Sequence, residues 1–340
     1  MKKLRNFYLK AAGKGKKNFP ERLFFVLLRF LSLLTFVYLK IEAGKRRFTL
    51  QYEAKGKKVI SVGNITWGGT GKTPFVMALA EVLLGRGRKP LVILRGYPHN
   101  FRSPRKVGER EEAVSFFGEE AVLIRKSLPS VPVWVGKNRE EVISQAAMKE
   151  NFDTVILDDG FQYRKLKRDM DILLIDGTDP FGNGHLIPAG SLREPVSQIS
   201  RADAVIVTRR EQLTPEKESE LLGITRRHTQ APVFFARHIP ANIDGFRSEG
   251  RKFAAFCGIG NPSNFFTMLE REGMILRKKV VFPDHHFYKK EDLNLDPEFL
   301  WLTTEKDFVK ITFPAGIRIK PVKMELRMEP QEWKTILEKL

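Results

Sequence analysis

The residues best suited to chemistry follow a short apolar run, Val59 to Val62, which empties into Gly63-Asn64-Ile65-Thr66-Trp67-Gly68-Gly69-Thr70-Gly71-Lys72-Thr73. A glycine-rich backbone lets amide N–H groups approach phosphate, a lysine supplies charge toward the β/γ-phosphates, and a hydroxyl can bind Mg²⁺. Pro74 suits the first turn of a following helix, where its missing N–H costs nothing. The usual spacing, G-x-x-x-x-G-K-[ST], has glycine where this chain has Thr66, and glycines stand instead at Gly68 and Gly69. Thr66, Gly68, Gly69, Thr70, Gly71, Lys72 and Thr73 are therefore the candidate nucleotide-phosphate residues.

Carboxylates form the second group. Ile156-Leu157 runs into Asp158-Asp159-Gly160-Phe161-Gln162, and Leu174-Ile175 into Asp176-Gly177. An acid closing an apolar strand can bind Mg²⁺ directly or through water, so Thr73, Asp158 and Asp159 are the candidate metal residues. Adjacent carboxylates repel unless a cation is near, and a solvated acidic turn is the plainer alternative. Arg193 and Glu194, in the Gly- and Pro-rich loop from Gly184 to Pro195, are candidates for substrate or phosphate contact, with a surface ion pair as the competing reading. His185 in that loop is expected to be structural. Asp284 directly precedes His285 and His286, an arrangement in which a carboxylate can orient an imidazole or raise its pKa for proton transfer. Thr303-Thr304-Glu305-Lys306-Asp307 adds charges after a short apolar strand.

These groups need a scaffold. From Lys58 to about Thr208 the chain alternates strand and helix, the pattern of a parallel sheet covered on both faces. Strands are expected at Val59–Val62, Pro90–Leu94, Val131–Val135, Thr154–Leu157, Ile172–Ile175 and Ala204–Val207. Helices are expected at Phe75–Leu84, Glu119–Lys126 and Arg139–Glu150. Ligands of such sheets gather at the carboxyl ends of the strands, which is where Arg95-Gly96-Tyr97 and the acidic turns fall. A second unit begins near residue 230, with a strand over Arg251–Phe256, a tight Gly258-Ile259-Gly260 turn and a helix from Ser263 to Glu272. A strand and a final helix close the chain. The expected division is 1–50, 51–230 and 231–340.

Lys and Arg total 59 against 40 Asp and Glu, a net charge of +19, which admits nucleic acid, an anionic membrane surface or a polyanionic substrate as partner. The single cysteine, Cys257, excludes an intramolecular disulfide framework and a cysteine-based zinc site. Lys2, Lys3, Arg5, Lys10, Lys14, Lys16 and Lys17 form a basic arm ahead of an apolar stretch from Leu23 to Leu39. Seventeen helical residues span about 25 Å, short of a bilayer core of about 30 Å, and Arg29 lies within them. An interfacial helix with the arm on anionic head groups is the expectation. No A-x-A cleavage site follows, as a signal peptide would require.

Taken together, Gly63-Asn64-Ile65-Thr66 with Gly68 to Pro74, Arg95-Gly96-Tyr97, Asp158 to Gln162, Ile187 to Pro195, Phe282-Pro283-Asp284-His285 and Thr304-Glu305-Lys306-Asp307 resemble the tetraacyldisaccharide 4'-kinase family, and the motifs run in family order through nearly the whole chain. The resemblance implies a P-loop NTPase-like α/β fold, a parallel sheet with helices on both faces, joined to a second smaller α/β domain and an N-terminal membrane-associated helix. It implies ATP and Mg²⁺, an acylated disaccharide 1-phosphate acceptor, no nucleic-acid partner, and the cytoplasmic face of the bacterial inner membrane, held peripherally or monotopically. The family's Gly-Asp-Glu motif, whose aspartate is proposed as base, matches Gly118-Glu119-Glu120 here, so Glu119 stands in that role. Lys72, Asp158, Asp159, Asp284 and His285 complete the catalytic set, and Arg139 joins Arg193 and Glu194 as a substrate or phosphate contact. A nucleotide switch or metallochaperone-type P-loop protein is the alternative, but it has no stated need for the apolar helix or the Leu192-Arg193-Glu194-Pro195 and Asp284-His285 segments.

Overall fold

The computed structural model describes residues 12–13, 19–46, 51–96, 103–108, 113–247, 252–312, 316–338 and 340. The basic arm, from Lys2 to Lys17 in its charged positions, and Tyr97 lie outside the described residues.

The chain opens with helix α1 (Phe19–Arg46) and then strand β1 (Lys58–Gly63), whose last five residues are all buried. Helix α2 (Lys72–Gly85) starts at the phosphate-loop lysine and buries Phe75, Val76, Leu79, Ala80 and Leu83, two apolar pairs and a lone residue at helical spacing. Strands β2 (Pro90–Leu94) and β3 (Arg105–Lys106), helices α3 (Ala113–Phe117) and α4 (Glu119–Ser127), strand β4 (Val133–Val135) and helix α5 (Arg139–Ala147) follow. Then come β5 (Thr154–Asp158), β6 (Met170–Asp176), β7 (Ala204–Thr208), α6 (Pro215–Arg226) and β8 (Val233–Phe235). The remaining elements are β9 (Arg237–Pro240), α7 (Ile243–Arg247), β10 (Phe253–Cys257), α8 (Pro262–Arg271), β11 (Leu276–Val281), β12 (Leu300–Thr304), α9 (Glu305–Phe308), β13 (Arg318–Val322), β14 (Met324–Arg327) and α10 (Pro330–Leu337).

The chain divides into two compact units that interleave along the sequence: Met1–Lys72, Asp153–Arg237 and Met328–Leu340 in one, Thr73–Phe152 and His238–Arg327 in the other. This differs from the consecutive segments 1–50, 51–230 and 231–340. Composition does not reveal such crossings, because one falls inside the first turn of α2 and leaves no linker signature.

In the first unit the strands lie in the order β5-β1-β6-β7-β8 and every pair is parallel. The run Val233–Phe235 extends this sheet, whereas the sequence reading begins a separate unit there. Strand β1 sits between β5 and β6, and open α/β sheets of this kind bind ligands at the carboxyl ends of their strands. The core under that end joins Ile65, Phe161, Leu173, Ile175, Leu192, Val205 and Val207.

In the second unit β2 pairs with β4 in parallel and β3 with β4 antiparallel. A four-stranded parallel sheet runs β11-β10-β12-β13. Strand β10 is buried on both faces: Ala254 and Phe256 join one core with Trp301 and Phe299, while Ala255 and Cys257 join another with Phe265, Leu269 and Leu302. That two-sided burial is why its sequence is continuously apolar.

Helix α1 is longer than the seventeen-residue count suggested. Its apolar stretch, Pro20–Ile41, has 22 residues with hydropathy 2.0, long and apolar enough to cross a membrane by length and composition, and only 11% of its 18-residue apolar window is buried. Leu28 and Ser32 face the protein, whereas Leu23, Val26, Phe30, Leu33, Leu34 and Tyr38 are exposed. Ser32 fixes the helix: its hydroxyl donates to the Leu186 carbonyl at 2.7 Å and accepts from Ala189 N–H at 3.0 Å.

Candidate active site

Thr66 is explained by the backbone. It forms an antiparallel bridge with Leu192, and neighbouring N–H groups reinforce it, Trp67 donating to the Ser191 carbonyl at 2.6 Å and Arg193 to the Ile65 carbonyl at 2.7 Å. An extended residue needs no glycine. The loop takes positive φ at Gly68 (128°) and Gly71 (82°), and glycine stands at both. The glycines have moved to where the turn requires them.

Side chains brace the same loop. Asn64, fully buried, donates to the Thr70 hydroxyl at 3.0 Å, and Thr208 at the end of β7 donates to the Thr70 carbonyl at 3.0 Å. Arg209, in the left-handed region at φ 59°, donates to the Gly69 carbonyl at 2.7 Å and pairs with Asp176. Close backbone approach completes the arrangement, since a Cβ on Gly63 would lie 2.6 Å from the Phe161 Cβ and 2.7 Å from its N.

The turn after β5 meets the lysine. Lys72 Nζ lies 3.5 Å from Asp159 Oδ1, and Arg193 Nη1 donates to both Asp159 oxygens at 2.9 and 2.8 Å. Burial works against the Asp159 carboxylate, but Lys72 and Arg193 outweigh it and hold its pKa below the usual carboxylate value. Asp159 adopts φ 54°, a strained conformation for a residue with a side chain. Asp158, the last residue of β5, is buried, as is Thr73 in the first turn of α2.

Glu194 is buried too. Its carboxylate receives Arg164 at 3.1 Å and Arg201, and Gln162 bridges it at 3.3 Å to the Asn64 carbonyl at 2.8 Å. Arg201 stacks over Phe161 at 4.1 Å, and burial lowers its pKa to about 10. Glu194 therefore ties the loop that carries Arg193 to the phosphate loop. Arg139 is turned inward and buried, donating to the Gly136 and Lys137 carbonyls at 2.9 and 3.2 Å.

The second unit assembles another cluster. Gly118, at φ 90°, precedes α4, and Glu119 opens that helix. His285 Nδ1 lies 3.1 Å from Glu119 Oε1, and Lys310 Nζ lies 3.2 Å from Oε2 and 2.9 Å from Asp307 Oδ1. Asp307, with no exposed surface, also accepts from Gly258 N–H at 3.0 Å and the Thr304 hydroxyl at 2.7 Å. Lys306 pairs with Glu120 at 2.9 Å.

Burial pushes the Glu119 pKa up, but the hydrogen bond from His285 and the charges of Lys306 and Lys310 overcome it and bring the carboxyl to about 2. The same hydrogen bond from the other side raises the His285 pKa against its desolvation. The exposures differ sharply: 9% for the Glu119 side chain and 56% for His285. Asp284 approaches His285 Nε2 only to 3.9 Å.

The structure thus brings together Lys72, Asp159 and Arg193 in one unit and Glu119, His285, Lys306 and Lys310 in the other. Lys310 escaped sequence reading because Asp307-Phe308-Val309-Lys310 looks like a solvated helix end. Arg209 was findable in principle, since it follows the carboxyl end of a predicted strand.

A glycine loop opening a 14-residue helix beside β1, with acids on the next strand, defines a P-loop nucleotide-binding protein of the phosphotransferase type. The chain belongs to the tetraacyldisaccharide-1-P 4'-kinase family, whose profile matches residues 24–340. It is 36% identical over 277 residues to the tetraacyldisaccharide 4'-kinase of Gluconobacter oxydans, covering 79% of this chain and 80% of that protein. To the kinase of that name from Halothermothrix orenii it is 34% identical, covering 92% and 89%. Among solved structures it matches LpxK from Aquifex aeolicus in complex with ATP, with a TM-score of 0.74, 29% identity and coverage of 91% and 97%. The resemblance drawn from the motifs and the α/β fold class are borne out.

Proposed function

We propose that this protein transfers the γ-phosphate of ATP to the 4'-hydroxyl of a tetraacylated disaccharide 1-phosphate. The observation that carries the chemistry is Lys72, at the first turn of α2, set 3.5 Å from Asp159 in the turn after β5. Phosphoryl transfer depends on positioning and charge neutralisation, and Lys72, Arg193 and the loop amides from Gly68 to Thr73 supply both. Thr66 holds the loop through its bridge to Leu192. Arg139 and Glu194 act by fixing loops, the first through Gly136 and the second through Arg164 and Arg201.

Thr73 with Asp158 or Asp159 would hold Mg²⁺. All three offer hard oxygen donors, and Mg²⁺ commonly takes one or two carboxylates and keeps water and phosphate oxygens for its other positions. Bound there, the ion supplies charge neutralisation for the phosphate oxygens.

The acceptor proton goes to the Glu119–His285 pair. Glu119, held at about 2 and nearly enclosed, is a weak acceptor at neutral pH, so His285 Nε2 receives the proton while Glu119 fixes the tautomer at Nδ1 and stabilises the imidazolium. Asp284 lends further negative charge. This moves the base from Glu119, which the motif alone nominates, to its partner.

The exposed apolar face of α1 supports a membrane-surface location for the enzyme, and its need for ATP supports the cytoplasmic side, both suited to an acylated acceptor. Detergent-solubilised protein incubated with γ-labelled ATP, Mg²⁺ and the disaccharide 1-phosphate should place label in the lipid fraction. Label released only as inorganic phosphate would sink the proposal.

A further inference from the structure

The phosphate loop carries a side chain that the chemistry above does not use. Trp67 is 70% exposed, although its loop neighbours Ile65, Thr66 and Thr70 are buried. The other tryptophans, Trp134, Trp301 and Trp333, are 2%, 1% and 7% exposed. Its backbone is fixed by the hydrogen bond to Ser191 and the adjoining Thr66–Leu192 bridge, so a rigid loop presents the indole to solvent.

Its position has a direction. Lys72 and the helix amides that hold phosphate follow Trp67 in the loop. On its other flank Leu192, paired with Thr66, lines a cavity of about 600 Å³ together with Val26, Phe30 and Leu33 of α1. Along the chain Trp67 stands between Lys72 and the Thr66–Leu192 bridge that leads to this cavity, so a ligand whose hydroxyl reaches the phosphate loop while its apolar tails run toward α1 would have Trp67 on its way. A pyranose ring offers an apolar C–H face, and a flat indole buries a large area against such a face or against methylenes.

We propose that Trp67 is an acceptor-specificity residue that covers the sugar ring and the first methylenes of the acylated acceptor, and takes no part in holding ATP. The inference rests on the acylated-sugar reading above.

Two measurements test it. Steady-state kinetics of Trp67→Ala should show a KM for the tetraacyldisaccharide 1-phosphate raised on the order of tenfold, from roughly 50 Å² of lost apolar contact, while the KM for ATP stays within about twofold. Trp67→Phe, which keeps a flat ring, should recover most of the loss. Intrinsic fluorescence should shift to the blue and resist acrylamide when the acceptor is added to wild-type protein, but not when a non-hydrolysable ATP analogue is added, and the shift should vanish in Trp67→Phe. An unchanged acceptor KM, or an ATP KM that rises in step, overturns the inference. So does a loss matched by weaker sedimentation with phosphatidylglycerol vesicles, which would make Trp67 a membrane anchor. If wild-type protein transfers no phosphate, the functional reading fails by itself, and the fluorescence titration still decides whether Trp67 meets the acylated sugar.

Discussion

Replacing Glu119 with Gln removes one charge and keeps an acceptor for His285 Nδ1, so it isolates what the carboxylate does to the imidazole. In the wild type the hydrogen bond from His285, at 3.1 Å, raises the imidazole pKa above its ordinary 6.5. The group must lose its proton before it can accept one, so kcat/KM should climb along an acidic limb whose midpoint lies above 6.5. A unit charge pair at about 4 Å is worth about 4 kcal/mol at an effective dielectric constant near 20 and about 1 kcal/mol in water. His285 is 56% exposed, so screening places the pair near the lower figure. One pKa unit is about 1.36 kcal/mol, and Glu119→Gln should therefore move the midpoint down by about one unit. The plateau rate should fall by roughly two orders of magnitude, because the imidazolium loses its stabilising charge. The assay is labelled-phosphate transfer across a pH series at saturating ATP. A limb that stays in place, or moves upward, refutes the pairing of Glu119 with the catalytic proton. Linkage gives a stability counterpart of matching sign: the pair is at full strength between the ordinary carboxyl value of 4.5 and the ordinary imidazole value of 6.5, weakens as pH rises through the raised His285 pKa, and weakens as pH falls toward about 2.

Other perturbations give independent outcomes. Lys72→Ala should lower turnover by at least about a hundredfold while thermal unfolding shifts little, since the partly exposed pair with Asp159 contributes at most about 1 kcal/mol; near-normal turnover would remove the phosphate role. Lys310→Met leaves Glu119 and Asp307 buried without their shared cation and should cost about 3–5 kcal/mol in urea unfolding. Gly63→Ala drives a methyl group into the Phe161 backbone and should cost about 1–3 kcal/mol by the same measurement, and a neutral result would contradict the close packing of β1 on the Asp159 turn. Deleting residues 1–46 should abolish sedimentation with anionic vesicles, whereas undiminished binding would assign the membrane surface elsewhere.

Most of the nucleotide-binding half was legible in the sequence because its signals are local. The strand at Pro90–Leu94 falls where five consecutive apolar residues place it, and β1 with its glycine loop follows from one short run. Thr66 looked irregular only against a fixed spacing; its pairing with Leu192 removes the need for glycine there, a contact 126 residues away that no local pattern reports. Val233–Phe235 was missed because three residues after a proline carry too little periodicity to distinguish an edge strand from the start of a new unit. The extent of α1 was underestimated because an apolar count stops at the first lysine, whereas the helix continues through it. Lys310 shows the limit most plainly. A lysine at the end of a short helix reads as solvated, and only tertiary packing reveals it as the 1% exposed cation between two carboxylates.

The central claim is regiospecific transfer to the acceptor sugar, and phosphorus–proton correlation NMR of the purified lipid product tests it most directly. A new phosphomonoester coupled to the proton on the 4' carbon, formed only with ATP and Mg²⁺ present, is the predicted result. Phosphate on another position, or an unmodified acceptor beside hydrolysed ATP, would contradict it.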